Sequence, residues 1–308
     1  MAGSDGNTKV VLLALGANLG IAIAKLVAAL VTGSAAMLAE SVHSFADSGN
    51  QLLLLLGGRR AARPRDGDHP LGYGREAYFW ALIVAVVLFT LGGVYSLVEG
   101  VHKLKDPHPI NSPGWAIGVL VVGLILEGTS LFVAWRMGQQ VRRGAPLLTW
   151  ARDTGNVNLL VVLFEDLAAM MGLVLALLAV GGAVLFDLPI LDGVGTCAIG
   201  LLLIVVAVFL ANQIRRLVVG FRACQSLHDG VEVLWQEAGF DVLDLVTTWS
   251  GVDEVMVIAK VRPHDMHMTA EALIARINAT EQLVAERYPR VRQLFVEPDF
   301  TAGVGVRP

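Results

Sequence analysis

The chain has 308 residues, 55% of them hydrophobic and 16% charged, with a formal net charge of −4. An ordinary soluble domain is about 25% charged, so this balance, with a mean hydropathy of +0.64, excludes a water-facing surface over most of the chain. The slight acidity leaves no basic footprint for nucleic acid. The two cysteines, Cys197 in an apolar run and Cys224 in a basic linker, do not read as a structural disulfide, and the C-terminal third reads as belonging to a reducing compartment.

Residues 1–8 are polar and short, without a clustered basic stretch. The apolar run after them lacks a cleavage site and is followed at once by another, so it reads as a retained helix and not a signal peptide. A membrane-crossing helix needs roughly 20 mostly apolar residues. Windows at about 9–31, 35–57, 79–101, 115–137, 156–182 and 189–212 meet that need, which predicts six spans. The second and fifth qualify narrowly, because ionisable residues sit in their middles. Such groups are costly in lipid and face a polar interior.

Lys and Arg set the orientation. Arg59, Arg60, Arg63, Arg65 and Arg75 follow the second window, Arg136, Arg142, Arg143 and Arg152 the fourth, and Arg215, Arg216 and Arg222 the sixth. The opposite loops are poor in charge, with Lys103 and Lys105 flanking the third window. Both termini are therefore expected in the cytoplasm. Tyr78, Phe79, Trp80, Trp115 and Trp135 fall at window ends, where amphipathic rings favour the interface.

From about Gln213 the charges return and the apolar runs shorten. Residues 240–248, 254–261 and 291–297 read as strands, and 269–286 as an amphipathic helix with Ala272, Leu273, Ile277 and Val284 on one side. Tyr288-Pro289 ends that helix. The division expected is a transmembrane transport domain over 1–212 and a cytoplasmic α+β domain over 213–308, small enough to gain from dimerisation.

The chemistry lies in the second and fifth spans. His43 and Asp47 are four residues apart, on one face of a helix, and an imidazole with a carboxylate is a usual ligand pair for Zn²⁺ and its first-row neighbours. Glu40 lies three residues before His43. A bland reading remains, in which this is a polar stripe that glues helices. In the fifth span Glu165 and Asp166 are adjacent and point about 100° apart on a 3.6-residue helix, so only one of them faces the His43/Asp47 pair squarely. Protons and metal compete for the lone pairs of histidine and carboxylates, so a site built of them can exchange metal for protons. Lys25 in the first span calls for a carboxylate partner or snorkelling, and Glu127 in the fourth is a proton-path candidate. His264-Asp265-Met266-His267 is metal-capable in composition, although Asp265 or Thr269 also suits a helix cap there.

The run from Thr32 to Asp47 (TGSAAMLAESVHSFAD) resembles the second helix of the cation diffusion facilitators. His69-Pro70-Leu71-Gly72-Tyr73-Gly74-Arg75-Glu76 is similar to their cytoplasmic segment before the third helix, and Phe295-Val296-Glu297-Pro298-Asp299 to their last strand. The likeness is closest to the branch that includes the animal zinc transporter 9 group. It implies a homodimer, an all-α six-helix membrane domain, and a metallochaperone-like, ferredoxin-like C-terminal domain. It also implies proton-coupled export of zinc or a related ion by alternating access. His43 and Asp47 match the family's ligand pair on the second helix, and Asp166 matches the aspartate on the fifth. The remaining ligand position falls on Val162, which cannot bind metal. Glu165, Glu40, Asn158 or water is left to replace it, a harder and more oxygen-rich set that leaves Mn²⁺, Fe²⁺ and Co²⁺ open beside Zn²⁺. The family's loop metal site, two histidines four apart, would fall on His69 and Tyr73, so it reads as lost, with His69 a turn residue.

The sequence thus reads as a divalent-metal/proton antiporter of a prokaryotic inner membrane, with metal and protons as partners, no organic cofactor and no catalysed reaction. The rivals are a membrane scaffold with a degenerate site and an intramembrane metalloenzyme, the latter weakened by a single intramembrane histidine.

Overall fold

The computed structural model describes residues 3–142 and 144–300. Arg143 of the basic loop lies outside them. The membrane region is built from α1 (Gly3–Thr32), α2 (Ala35–Ala61), α3 (Glu76–Val87), a π-helical segment (Leu88–Val94), α4 (Tyr95–Lys105), α5 (Pro113–Arg142), a short α6 (Leu147–Asp153), α7 (Val157–Leu185) and α8 (Ile190–Val219). Among the described residues four helices are long and apolar enough to cross a membrane: Glu76–Lys105, which joins α3, the π segment and α4, then Pro113–Arg142, Val157–Leu185 and Ile190–Val219. α1 contributes a shorter apolar stretch, Asn18–Thr32. α2 is long enough but carries Glu40, Asp47, Arg59 and Arg60.

α2 and α7 pack against each other and are flanked by α1, α3, α5 and α8. Close approach on the α4/α8 side depends on missing side chains. A Cβ on Gly100 would stand 2.6 Å from Cys197 Sγ, and one on Gly200 would stand 2.7 Å from the Leu97 backbone nitrogen. Small residues at helix crossings bring backbones together where hydrophobicity supplies no drive.

The start of α2 is anchored from far along the chain. Asp192, fully buried at the start of α8, accepts from Ser34 Oγ (2.7 Å), Ala35 N (2.8 Å) and Ala36 N (3.3 Å). Lys103 Nζ lies 4.0 Å from Asp192 and donates to Gly33 O at 3.1 Å. The carboxylate takes up the orphan N–H groups and the positive end of the α2 dipole. No sequence pattern announced this clamp, since its partners stand some 158 residues apart.

The C-terminal region runs α9 (Gln225–Glu237), β1 (Phe240–Gly251), β2 (Glu254–Pro263), α10 (Ala270–Arg287) and β3 (Val291–Pro298). The sheet order is β1-β2-β3, with β1 antiparallel and β3 parallel to β2. Val255, Val257, Ala259 and Val261 alternate inward along β2, as a period of two requires. They meet Leu227, Val231 and Trp235 of α9 and Val284 of α10 in one core. The three expected strands and the helix are present; the strands run one to three residues further at their C-terminal ends, and the helix starts and ends one residue later than expected, with Thr269 as its cap. α6 and α9 were not expected; the 227/231/235 spacing is a four-residue repeat that marks an amphipathic face.

The β1–β2 turn, with Asp253 at φ 55°, rests on the arginine-rich end of the helices. Tyr78 of α3 donates to Gly251 O at 2.6 Å, and Asn156, the N-cap of α7, donates to Asp253 at 2.7 Å.

Candidate metal site

Helical spacing places His43 and Asp47 one turn apart, and their side chains meet, Nε2 to Oδ2, at 3.4 Å. His43 is buried at 1% exposure. The π segment passes beside it: a Cβ on Gly92 would lie 3.7 Å from His43 Nδ1. Such segments occur at functional sites, and nothing in the sequence signalled this one. Neither His43 nitrogen nor Asp47 Oδ1 makes a hydrogen bond. Leaving a buried polar atom unsatisfied costs about 1–3 kcal/mol. Of these three atoms on one helical turn, Asp47 Oδ1 and the unprotonated ring nitrogen of His43 offer lone pairs to a cation or a proton, while the other ring nitrogen carries an N–H without an acceptor.

The two carboxylates of α7 diverge as their 100° offset demands. Glu165 faces α2 and accepts from Asn50 Nδ2 at 2.6 Å, less than one turn beyond Asp47. Asp166 faces α5 and accepts from Ser130 Oγ at 3.0 Å. Asp166 also lines a cavity of about 740 Å³ with Asn18, Ser130, Asn158 and Val162. Asn158 Oδ1 is buried there without a partner. Asp166, which the sequence favoured, therefore addresses the cavity, while Glu165 is the carboxylate turned toward α2. Among the described residues no three His, Cys, Asp or Glu side chains converge in metal-holding geometry.

Beside the pair lies a second cluster. Lys25 of α1 is fully buried; its Nζ donates to Ser44 Oγ at 2.8 Å and stands 3.5 Å from Glu40 and 3.7 Å from Glu127. The carboxylate partner expected for Lys25 is thus Glu40, with Glu127 as a second.

Outside the membrane region, Asp66 organises the α2–α3 loop. Its carboxylate accepts from Tyr73 Oη at 2.6 Å and from His69 N at 2.8 Å, while the His69 ring stacks on Tyr73 with centroids 4.1 Å apart. The tyrosine hydroxyl, and then the His69 N–H, hold the Asp66 carboxyl below its ordinary range, and the same bond raises Tyr73. His69 is accordingly a turn residue. In the C-terminal domain His264 Nε2 lies 3.0 Å from Asp241 Oδ1. Asp241 also accepts from Arg262, at 2.7 Å and 3.1 Å, and the arginine, then His264, draw its carboxyl down. His267 is held through its backbone N–H by Asp265 at 3.0 Å. The two histidines serve separate turns here, and Thr269 caps α10 through Ala272 N.

Residues 11–216 match the family model of the cation efflux transmembrane domain. The chain is 37% identical over 207 residues to "Proton-coupled zinc antiporter SLC30A9, mitochondrial" of Xenopus laevis, covering 67% of this chain and 37% of that protein. The Homo sapiens protein of the same name is 34% identical over 207 residues, covering 67% and 36%. "Metal tolerance protein C4" of Arabidopsis thaliana is 34% identical over 196 residues, covering 61% and 42%. The match thus spans about two-fifths or less of the length of these relatives. With its apolar helices it is an integral membrane protein, and it belongs to the cation efflux, or cation diffusion facilitator, family, in the zinc transporter 9-like branch.

Proposed function

We propose that this chain is a proton-coupled antiporter that exports a divalent transition metal from the cytoplasm by alternating access. Zn²⁺ is the first candidate substrate, as the names of the relatives indicate, with Mn²⁺, Fe²⁺ and Co²⁺ suited to the same oxygen-rich donors. The observation that carries the reading is the His43/Asp47 pair, whose buried ring nitrogens and Oδ1 make no hydrogen bond, with Glu165 of α7 turned toward the same helix. His43, Asp47 and Asp166 hold the ion, and Glu165 supplies the oxygen that Val162 cannot. Protons arriving at these groups displace the metal. Asn158 lines the entry cavity, and Glu40 and Glu127 adjoin the site as proton-path or auxiliary groups.

Residues 1–212 form the six-helix transport unit, and residues 213–308 a cytoplasmic, ferredoxin-like unit that pairs two copies. The open sheet face supports pairing: Val246, Ile258 and Phe295 stand side by side across the three strands, each half exposed. His264 and His267 are the candidates for a regulatory ion there. The basic ends of the helices face the cytoplasm, with a prokaryotic inner membrane as the setting. No reaction is catalysed in this reading.

A second reading, a membrane scaffold with a lapsed site, draws on the separation of Glu165 from Asp166. Vesicles with an imposed pH gradient decide between them. Uptake of Zn²⁺, Mn²⁺, Fe²⁺ and Co²⁺ is compared for the wild type and Asp47→Ala. One ion moving against protons and stopped by Asp47→Ala is the expected result. Folded protein that moves no ion in either form leaves the scaffold.

A further inference from the structure

Lys25 has no part in the reading above, yet among the described residues it is the most fully buried lysine or arginine. Its ammonium meets groups from two other helices. Ser44 and Glu40 come from α2 and Glu127 from α5, at 2.8, 3.5 and 3.7 Å. The surroundings are cut to fit. A Cβ on Gly123 would stand 3.3 Å from Lys25 Cε, and one on Gly172 would stand 2.5 Å from Glu40 Oε1. Glu40 Oε1 is itself buried with no hydrogen-bond partner. Two carboxylates and a hydroxyl around one positive charge are the donor set of a divalent-cation site, here filled by a side chain. Glu40 and Ser44 flank His43 on α2, so an ion captured in this cluster would sit beside the transported one.

We propose that Lys25 is a tethered cation that occupies a second metal position formed by Glu40, Glu127 and Ser44, and so restricts the membrane site to one exchangeable ion. A buried carboxylate pair needs a neutralising charge. A lysine supplies it on a tether and cannot be carried across. Without it the same carboxylates would take a metal ion that two extra oxygen ligands hold and release slowly. Lys25 is thus a positioning and specificity residue, not a ligand.

The proposal rests on the transport reading, and the test separates the two. Zn²⁺ bound per protomer is measured by equilibrium dialysis on full-length protein in detergent. The forms compared are the wild type, Asp47→Ala, Lys25→Met, Lys25→Arg and Lys25→Met with Glu127→Gln. Thermal unfolding is followed with and without Zn²⁺. Lys25→Met is expected to bind one ion more than the wild type, to be destabilised in chelator and to recover with Zn²⁺ by more than the wild type gains. Lys25→Arg is expected to keep the wild-type count, and the double variant to lose the added ion. Lys25→Gln, which keeps a donor for Ser44, repeats the measurement should Lys25→Met not fold. An unchanged count in the neutral variants, or destabilisation that Zn²⁺ does not relieve, overturns the lysine proposal while leaving transport intact. A wild type whose count equals that of Asp47→Ala removes the transport reading, and this proposal with it.

Discussion

The Asp192 clamp gives the most direct test of how the site is held. Asp192→Ala removes an acceptor from Ser34 Oγ, Ala35 N and Ala36 N and takes the counter-charge from Lys103. Hydrogen bonds to charged groups contribute about 1.5–3 kcal/mol each, whereas side-chain bonds in membrane proteins average about 0.6 kcal/mol. The bond to Ala36 is long at 3.3 Å; Ser34 keeps its own cap on Met37 N, and Lys103 keeps Gly33 O. Counting two good bonds at about 1.5 kcal/mol each, the low end for charged groups, gives about 3 kcal/mol. That shifts the folded-to-unfolded ratio by about a hundredfold or slightly more. Asp192→Asn keeps one acceptor oxygen but turns an NH₂ toward a backbone N–H, so about half the loss is expected. Reversible unfolding in mixed micelles with increasing SDS, followed by tryptophan fluorescence, reads both values. Since α2 carries His43 and Asp47, metal uptake should fall with the same ranking of variants. If Asp192→Ala unfolds within about 0.5 kcal/mol of the wild type, a range typical of surface changes, and transports normally, the clamp does not hold α2 and the reasoning fails.

Two further outcomes are expected. Val162→His puts an imidazole one turn before Asp166 on the wall of the same cavity. If a four-ligand zinc site is worth about 10–16 kcal/mol, one ligand adds about 3 kcal/mol. Zn²⁺ affinity should therefore rise on the order of a hundredfold while turnover slows; equilibrium binding beside vesicle flux checks this, and unchanged affinity in a folded variant counts against Asp166 as a ligand of the ion. In the α2–α3 loop, Tyr73→Phe removes the main cause of the lowered Asp66 carboxyl, which should move back up toward that of an ordinary aspartate. Because the folded value is depressed, the contribution of this bond is present above the unfolded value and is lost as pH falls through the folded one. Wild type and variant should thus differ near neutrality and converge in acid, as NMR titration of the carboxyl and exchange of the His69 amide would report; an unmoved titration refutes the assignment.

Much of this protein is local enough to read without coordinates. Hydropathy marks the long apolar helices because lipid admits only internally bonded backbone. Alternation marks β2, and the four-residue interval puts His43 and Asp47 side by side whatever surrounds them. The interval between Glu165 and Asp166 likewise dictates that they part, but not which of them turns toward α2. That choice is made by packing, which seats Glu165 on Asn50 and Asp166 on Ser130. The same holds for Lys25 between Glu40 and Glu127, for Asp192 over the start of α2, and for the π segment at Gly92. Each joins residues from separate helices, or changes the helical phase by one residue. Their formation depends on how closely helices approach where glycines leave room, as at Gly100 and Gly200. Periodicity along one helix carries the direction of a side chain about its own axis; the rotation and depth of that axis among its neighbours are properties of the assembled bundle, and they determine which charges meet.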